Sequence, residues 1–266
     1  MRGGAQGHLV EAEDGHCYVL KPKNNPQHRR ILVNEWVSSV FLRYLRVASP
    51  ETAVLILAPT VLSQSPKFNI QLGTRTVAIE PGWHFGSRFP GDPATVSVYD
   101  FLPDSMLDGI ANPHDFLGAL VFDKWISNAD ARQAIFLRAN VKTVRPSGEQ
   151  TAARPGFAAL MIDHGFCFQG PNWNFINSPP QGLYHRRGIY SFVTGWASFE
   201  LWIEWVRNFP EEVADEALRQ IPETWLEGDY DNLVAMLEKL MDRRKRVADW
   251  IDEVRRDRIN PFPNWH

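Results

Sequence analysis

The hydrophobic pattern of the first 60 residues changes period twice, and each change predicts an element. His8 to Glu13 and Cys17 to Lys21 read as two short strands. Asp14-Gly15 between them predicts a hairpin turn, because Gly tolerates the positive φ such turns need. From about Gln27 to Leu45, the residues Ile31, Val33, Trp36, Val37, Val40, Phe41 and Tyr44 recur at helical spacing. Ala53 to Ala58 is a continuous apolar run and predicts a buried strand. Between Ser63 and Pro103 Gly and Pro break the pattern, leaving Thr76 to Ile79 and Val96 to Phe101 as strand candidates. Asn112-Pro113 predicts a helix start, with Asn as cap and Pro at the first helical position. That helix runs to about Ser127, with Phe116, Leu117, Leu120, Val121 and Trp125 on its apolar side. Ala134 to Arg138 and Ala158 to Ile162 follow as strands. The chain from Gly195 onward reads as helical. Its last predicted helix, about Asp231 to Arg256, carries Leu233, Met236, Leu237, Leu240, Val247, Ile251 and Val254 on one stripe. Strands with one helix come first and mostly helices afterwards. This order predicts an α+β protein with a sheet-rich part over residues 1–103 and a mainly helical part over 104–266.

Composition narrows the picture little. A chain of 266 residues suits one large domain or two modest lobes. With 44% hydrophobic and 22% charged residues it is ordinary for a globular protein, and ten Trp and sixteen Phe promise well-filled cores or an aromatic-lined groove. A net charge of -3 gives no overall basic field, so nucleic acid and anionic membranes are not expected partners. The run Arg243-Arg244-Lys245-Arg246 has Asp242, Asp249, Asp252 and Glu253 around it and reads as a solvated helix face. No apolar run approaches the roughly 20 residues of a spanning helix. Met1-Arg2-Gly3-Gly4 lacks the apolar stretch of a signal peptide. Cys17 and Cys167 have no metal-ligand spacing. The expectation is a cytoplasmic protein with both thiols free.

Four features carry candidate chemistry. Gly3-Gly4-Ala5-Gln6-Gly7 precedes the first strand, and such glycines let backbone N–H groups approach phosphate oxygens. Lys21 ends the strand Tyr18-Val19-Leu20-Lys21. Glu35 lies on the helix that follows and is placed to hold that Lys at a phosphate. The fourth feature is a pair of segments, Asp123 to Gln133 and Ile162-Asp163-His164-Gly165. Asp130 is suited to orient a hydroxyl and accept its proton, and Asp163 to ligate Mg²⁺. Each residue alone has a plainer reading: an edge-strand Lys reaching water, a solvated helix Glu, a loop Asp capping a turn, a His bonding locally. Together their order is glycine loop, strand Lys, helix Glu, catalytic-loop Asp and metal-binding Asp-x-Gly, which is that of a protein kinase.

The texture of these segments resembles the HipA-like kinases, a bacterial branch of the kinase fold. The resemblance is carried by Gly3-Gly4-Ala5-Gln6, by Tyr18 to Lys21 with Asn24-Asn25-Pro26-Gln27, and by Asn34-Glu35. Asp123-Lys124-Trp125, Asn128-Ala129-Asp130 and Ile162-Asp163-His164-Gly165 extend it over most of the chain, as do Phe166 to Phe175 and Trp225 to Gly228. It implies a two-lobed fold, with a nucleotide-binding N-terminal lobe and a C-terminal lobe carrying the catalytic and metal-binding loops, that binds ATP and Mg²⁺ and transfers a phosphoryl group, with a protein Ser/Thr hydroxyl as the favoured acceptor. It implies Gly3, Gly4, Ala5 and Gln6 at the nucleotide, Lys21 on the α- and β-phosphates with Glu35 as partner, Asp130 as the catalytic-loop carboxylate and Asp163 on the metal. The chain also departs from the kinase pattern. Ile135 stands five residues after Asp130, where kinases place a metal-binding Asn, leaving Gln133 or Asn140 as the substitute amide. Asn128 stands where many kinases have His. Three alternatives stay open: a nucleotide- or partner-binding module without turnover, a small-molecule or lipid acceptor, and transfer of AMP.

Overall fold

The computed structural model describes residues 6–64, 68–141 and 153–266. Among them the strands are β1 (His8–Glu11), β2 (Cys17–Lys21), β3 (Thr52–Leu57), β4 (Asn69–Leu72), β5 (Arg75–Ala78), β6 (Gly82–Arg88), β7 (Val98–Tyr99), β8 (Gln133–Val141) and β9 (Arg154–Ile162). The helices are α1 (Arg30–Tyr44), α2 (Pro59–Gln64), α3 (Asp115–Ile126), α4 (Glu200–Arg207), α5 (Glu211–Arg219), α6 (Glu223–Leu226), α7 (Tyr230–Arg243) and α8 (Val247–Arg256). The result is a mixed α and β fold, with sheets before α3 and helices after β9.

An antiparallel sheet runs β1-β2-β6-β3, a hairpin pairs β4 with β5, and a third sheet runs β7-β8-β9. The β1–β2 turn contains Gly15 at φ 77°, as the Asp14-Gly15 pair predicts. Two strands differ from the sequence reading. β3 is not buried: it is the edge of its sheet, and Ile56 is 66% exposed. The central strand β6, Gly-Trp-His-Phe-Gly-Ser-Arg, has too little apolar character to announce itself. It was missed, although β2 and β3 pair with it on either side. Val96 to Phe101 shrinks to the two-residue β7.

α1 and α3 lie at the centre. α3 buries every residue from Phe116 to Ile126, and α1 buries Ile31 to Ser39 together with Phe41 and Leu42. A helix covered on all sides has no polar stripe, which is why apolar spacing alone underestimates its burial. Phe41 stacks on Trp125 of α3 at 5.5 Å and meets Phe209 at 4.6 Å. α1 therefore belongs to the large core, while Leu20, Leu57, Ile70 and Ile79 form a separate small cluster under the first sheet.

Two helix boundaries are corrected as well. α3 starts at Asp115 rather than at Asn112-Pro113, with His114 at the cap position and no side-chain cap. Asn112 instead clamps β9, donating to Ala159 O at 3.0 Å and accepting from Ala159 N at 2.9 Å. The predicted Asp231–Arg256 helix is broken into α7 and α8 by a 3₁₀ turn over Arg244–Arg246. There the Arg244 N–H bonds Met241 O, and its side chain reaches the same carbonyl at 2.8 Å. The predicted stripe survives the break, with all seven of its residues buried.

Candidate active site

β2 delivers Lys21 to its C-terminal end, opposite Phe85 of β6, and the next eight residues turn the chain into α1. Lys21 Nζ donates to Oε1 of Glu35 on α1 and, at 2.9 Å, to Oδ1 of Asp163. Three of the sequence-predicted site residues thus meet at one ammonium group. Burial works against the Lys21 charge, but the two carboxylates outweigh it and hold its pKa above the ordinary lysine value. Burial raises Asp163 too, and Lys21 more than reverses this, leaving the carboxyl below its usual range. Burial pushes Glu35 upward, opposed by Lys21 and by the His164 N–H, which donates to the same oxygen at 3.1 Å. Asp163 is the exposed member of the trio, its side chain 38% accessible.

Asp163 follows directly on β9 and has φ 58°, a left-handed conformation uncommon for a residue with a Cβ. Gly165, two residues on, lies against α1. A Cβ there would come within 2.6 Å of Ile31 Cγ2, so only glycine permits this approach. Asn34, beside Glu35 on α1, holds the continuing chain. Its amide donates to the carbonyls of Gly165 at 2.7 Å, Cys167 at 3.0 Å and Gly170 at 2.9 Å, and its oxygen accepts from Trp173 Nε1 at 2.8 Å. Cys167 is buried, and burial pushes its thiol well above the usual range.

Asp130 sits in the loop between α3 and β8 and is exposed. The register places it: Gln133 pairs with Ile162 at the end of the β8–β9 ladder where β8 begins and β9 ends. Asp130 and Asp163 therefore emerge from the same end of that hairpin. Ala129 N donates to Phe166 O at 3.0 Å, and Gly182 N donates to Asp130 O at 2.9 Å. Gly182 is itself confined, since a Cβ would come within 2.4 Å of Asp123 Cβ. Gln133 is exposed at that same end, on the face of β8 shared with Ile135. Asn140 lies on the other face, seven residues or roughly 23 Å away at the usual strand rise. Asn140 is therefore no substitute for the missing amide. Gln6 exchanges two 2.6 Å hydrogen bonds with the Gln71 backbone on β4. Gly3, Gly4 and Ala5 lie outside the described residues.

The sequence reading assigned no role to the buried charges behind this site. Asp123 and Lys124 sit within the buried apolar run of α3, and a charge in such a setting needs a partner; that was the available signal. Arg132 Nε donates to Asp123 Oδ2 at 2.8 Å and Nη2 to its Oδ1. Arg132 Nη1 also reaches Ile162 O at 3.1 Å and His164 Nδ1 at 2.8 Å. His164 is buried, and burial and Arg132 hold its pKa far below the ordinary value. It is a neutral bridge in the interior. Lys124 Nζ donates to the carbonyls of Ser178 and Pro179 at 2.8 Å and of Gln181 at 2.7 Å, pinning the loop that returns past Asp130. Burial lowers its pKa to about 8.

The HipA-like kinase family model matches residues 1–253 of this chain. The chain belongs to the HipA-like kinase family. The match covers nearly the whole of it, as the resemblance implies, and the family suggests a kinase-like phosphotransferase. No curated protein matches. Among the described residues, no helix of this HipA-like chain is long and apolar enough to cross a membrane.

Proposed function

We propose that the protein is an ATP- and Mg²⁺-dependent phosphotransferase acting on a hydroxyl group, with a protein serine or threonine as the favoured acceptor. The observation that carries this reading is the convergence of Lys21, Glu35 and Asp163. A buried ammonium fixed by one buried carboxylate, beside a second and more accessible carboxylate, is what a triphosphate with a divalent cation requires. On this reading residues 1–103 and 104–266 act as two lobes with the nucleotide between them.

The donor set fits Mg²⁺. Among the described residues no group of three or more His, Cys, Asp and Glu side chains could hold a metal by itself. Mg²⁺ asks for less, taking one or two carboxylates with phosphate and water. Asp163 would hold it, with the Gln133 amide as a neutral oxygen donor where Ile135 has none. When bound, it would neutralise charge on the β- and γ-phosphates. Lys21 would orient the α- and β-phosphates, restrained by Glu35. Asp130, exposed at the mouth of the loop, would orient the acceptor hydroxyl and take up its proton.

Mass spectrometry after incubation with ATP and Mg²⁺, on the protein and on a cell lysate, tests this. Added phosphate supports the reading, added AMP replaces it with nucleotidyl transfer, and no modification of any substrate counts against catalysis. Ile135 favours one second reading, a nucleotide-binding module without turnover. That reading expects ATP binding by calorimetry without any transfer.

A further inference from the structure

Arg132 makes more contacts than a buried countercharge needs. It is 1% exposed, lies two residues after Asp130, and is anchored to α3 through both oxygens of Asp123. Its remaining nitrogen, Nη1, bonds the carbonyl of the residue before Asp163 and the ring of the residue after it. Asp163 itself is held in the left-handed region at φ 58°. Such a conformation persists only when its surroundings over-determine it. Here the preceding peptide is fixed by Arg132, and the following N–H by Glu35 at 3.1 Å. The planar guanidinium suits this task. One edge matches a carboxylate, and the other still has donors in the same plane.

We propose that Arg132 is a positioning residue for Asp163: it transmits the fixed position of α3, through Asp123, to the strained turn that aims the Asp163 carboxylate. The loop that carries Asp130 and the Asp-x-Gly turn are then coupled through one side chain, in addition to the contacts each makes separately. His164 serves this bridge as a neutral acceptor instead of acting on substrate. The proposal rests on the nucleotide–metal reading of Asp163 given above.

The test is calorimetric and independent of turnover. ATP is titrated into the protein without metal and at a series of Mg²⁺ concentrations, alongside thermal melts. Arg132→Met alone strands the Asp123 carboxylate in the interior. The decisive protein is therefore the double variant Asp123→Leu/Arg132→Met, which leaves no unpaired charge. The expected result is an unchanged metal-free ATP affinity and a Mg²⁺ midpoint raised by about tenfold or more, as for loss of a partner that orients a metal ligand. His164→Leu, which keeps the Asp123–Arg132 pair, should shift the midpoint in the same direction by less. It carries the test if the double variant shows no melting transition. A Mg²⁺ midpoint equal to wild type in a folded variant overturns the proposal and leaves Arg132 a packing residue. A wild-type protein that binds no ATP with or without Mg²⁺ overturns the nucleotide reading itself, a separate outcome.

Discussion

At the scale of single residues, the site depends on one buried ion pair carrying two duties. Lys21→Met would leave the Glu35 carboxylate, 3% exposed, without its countercharge. The expected loss is about 3–5 kcal/mol in urea unfolding, with nucleotide affinity falling as well. Lys21→Met/Glu35→Leu should regain part of the stability and none of the affinity, which separates the two duties. Asp163→Asn is expected to abolish phosphoryl transfer while leaving ATP binding measurable by calorimetry. Gln133→Ala checks the substitute amide: the Mg²⁺ requirement should rise. Normal turnover at low Mg²⁺ would leave that position to water.

At the scale of elements, α1 is the organising piece, and its grip on the chain after Asp163 can be measured. Asn34→Leu leaves three carbonyls and the Trp173 N–H without their partner. Unmade buried hydrogen bonds cost roughly 1–3 kcal/mol each, so a loss of about 3 kcal/mol or more is expected in denaturant unfolding. The N-terminal end of α1 gives a pH-dependent contact. Arg30 Nε and Nη2 bond both oxygens of Asp229, just ahead of α7, at 2.7 and 2.6 Å. Those hydrogen bonds hold the Asp229 pKa down to about 2, from 3.8. A depressed carboxyl stabilises the fold above its unfolded pKa and stops doing so as pH falls through the folded one. The melting-temperature difference between wild type and Asp229→Asn should therefore be full at pH 6 and vanish between pH 4 and 2. Much of this was legible in the sequence, because periodic apolar residues announced α1, α3 and the stripe over α7 and α8. β6 was not, since a Gly- and His-bearing strand owes its place to its neighbours. Nor was the break at Arg244, where side chains compete for helix carbonyls. At the site, Lys21, Glu35 and Asp163 were legible from their order. Asn34 carried no assigned role and Arg132 none at all: the contacts of Asn34 cross more than 130 positions, those of Arg132 cross 9 to 32, and neither set leaves a periodic pattern.

At the scale of the molecule, the two hydrophobic clusters differ greatly in size, and local stability should follow. Leu20, Leu57, Ile70 and Ile79 make up the buried part of the small one, whereas the large one joins α1, α3 and the helices up to Phe262 and Trp265. Native-state hydrogen exchange is expected to show the amides of β4 and β5 opening at low free energy, and those of α1 and α3 exchanging together near the global limit. Equal protection in both regions would contradict that division. The placement of the cysteines makes a simpler version of the experiment available. Cys17 is half-buried on β2, while Cys167 is enclosed beneath Asn34 with its thiol held protonated. A thiol reagent should therefore modify the protein in two phases, and the slow one is a clock for the opening of the chain after Asp163. Ligands that tighten that segment should slow the clock and Asn34→Leu should speed it, giving a readout of the site that needs no knowledge of the substrate.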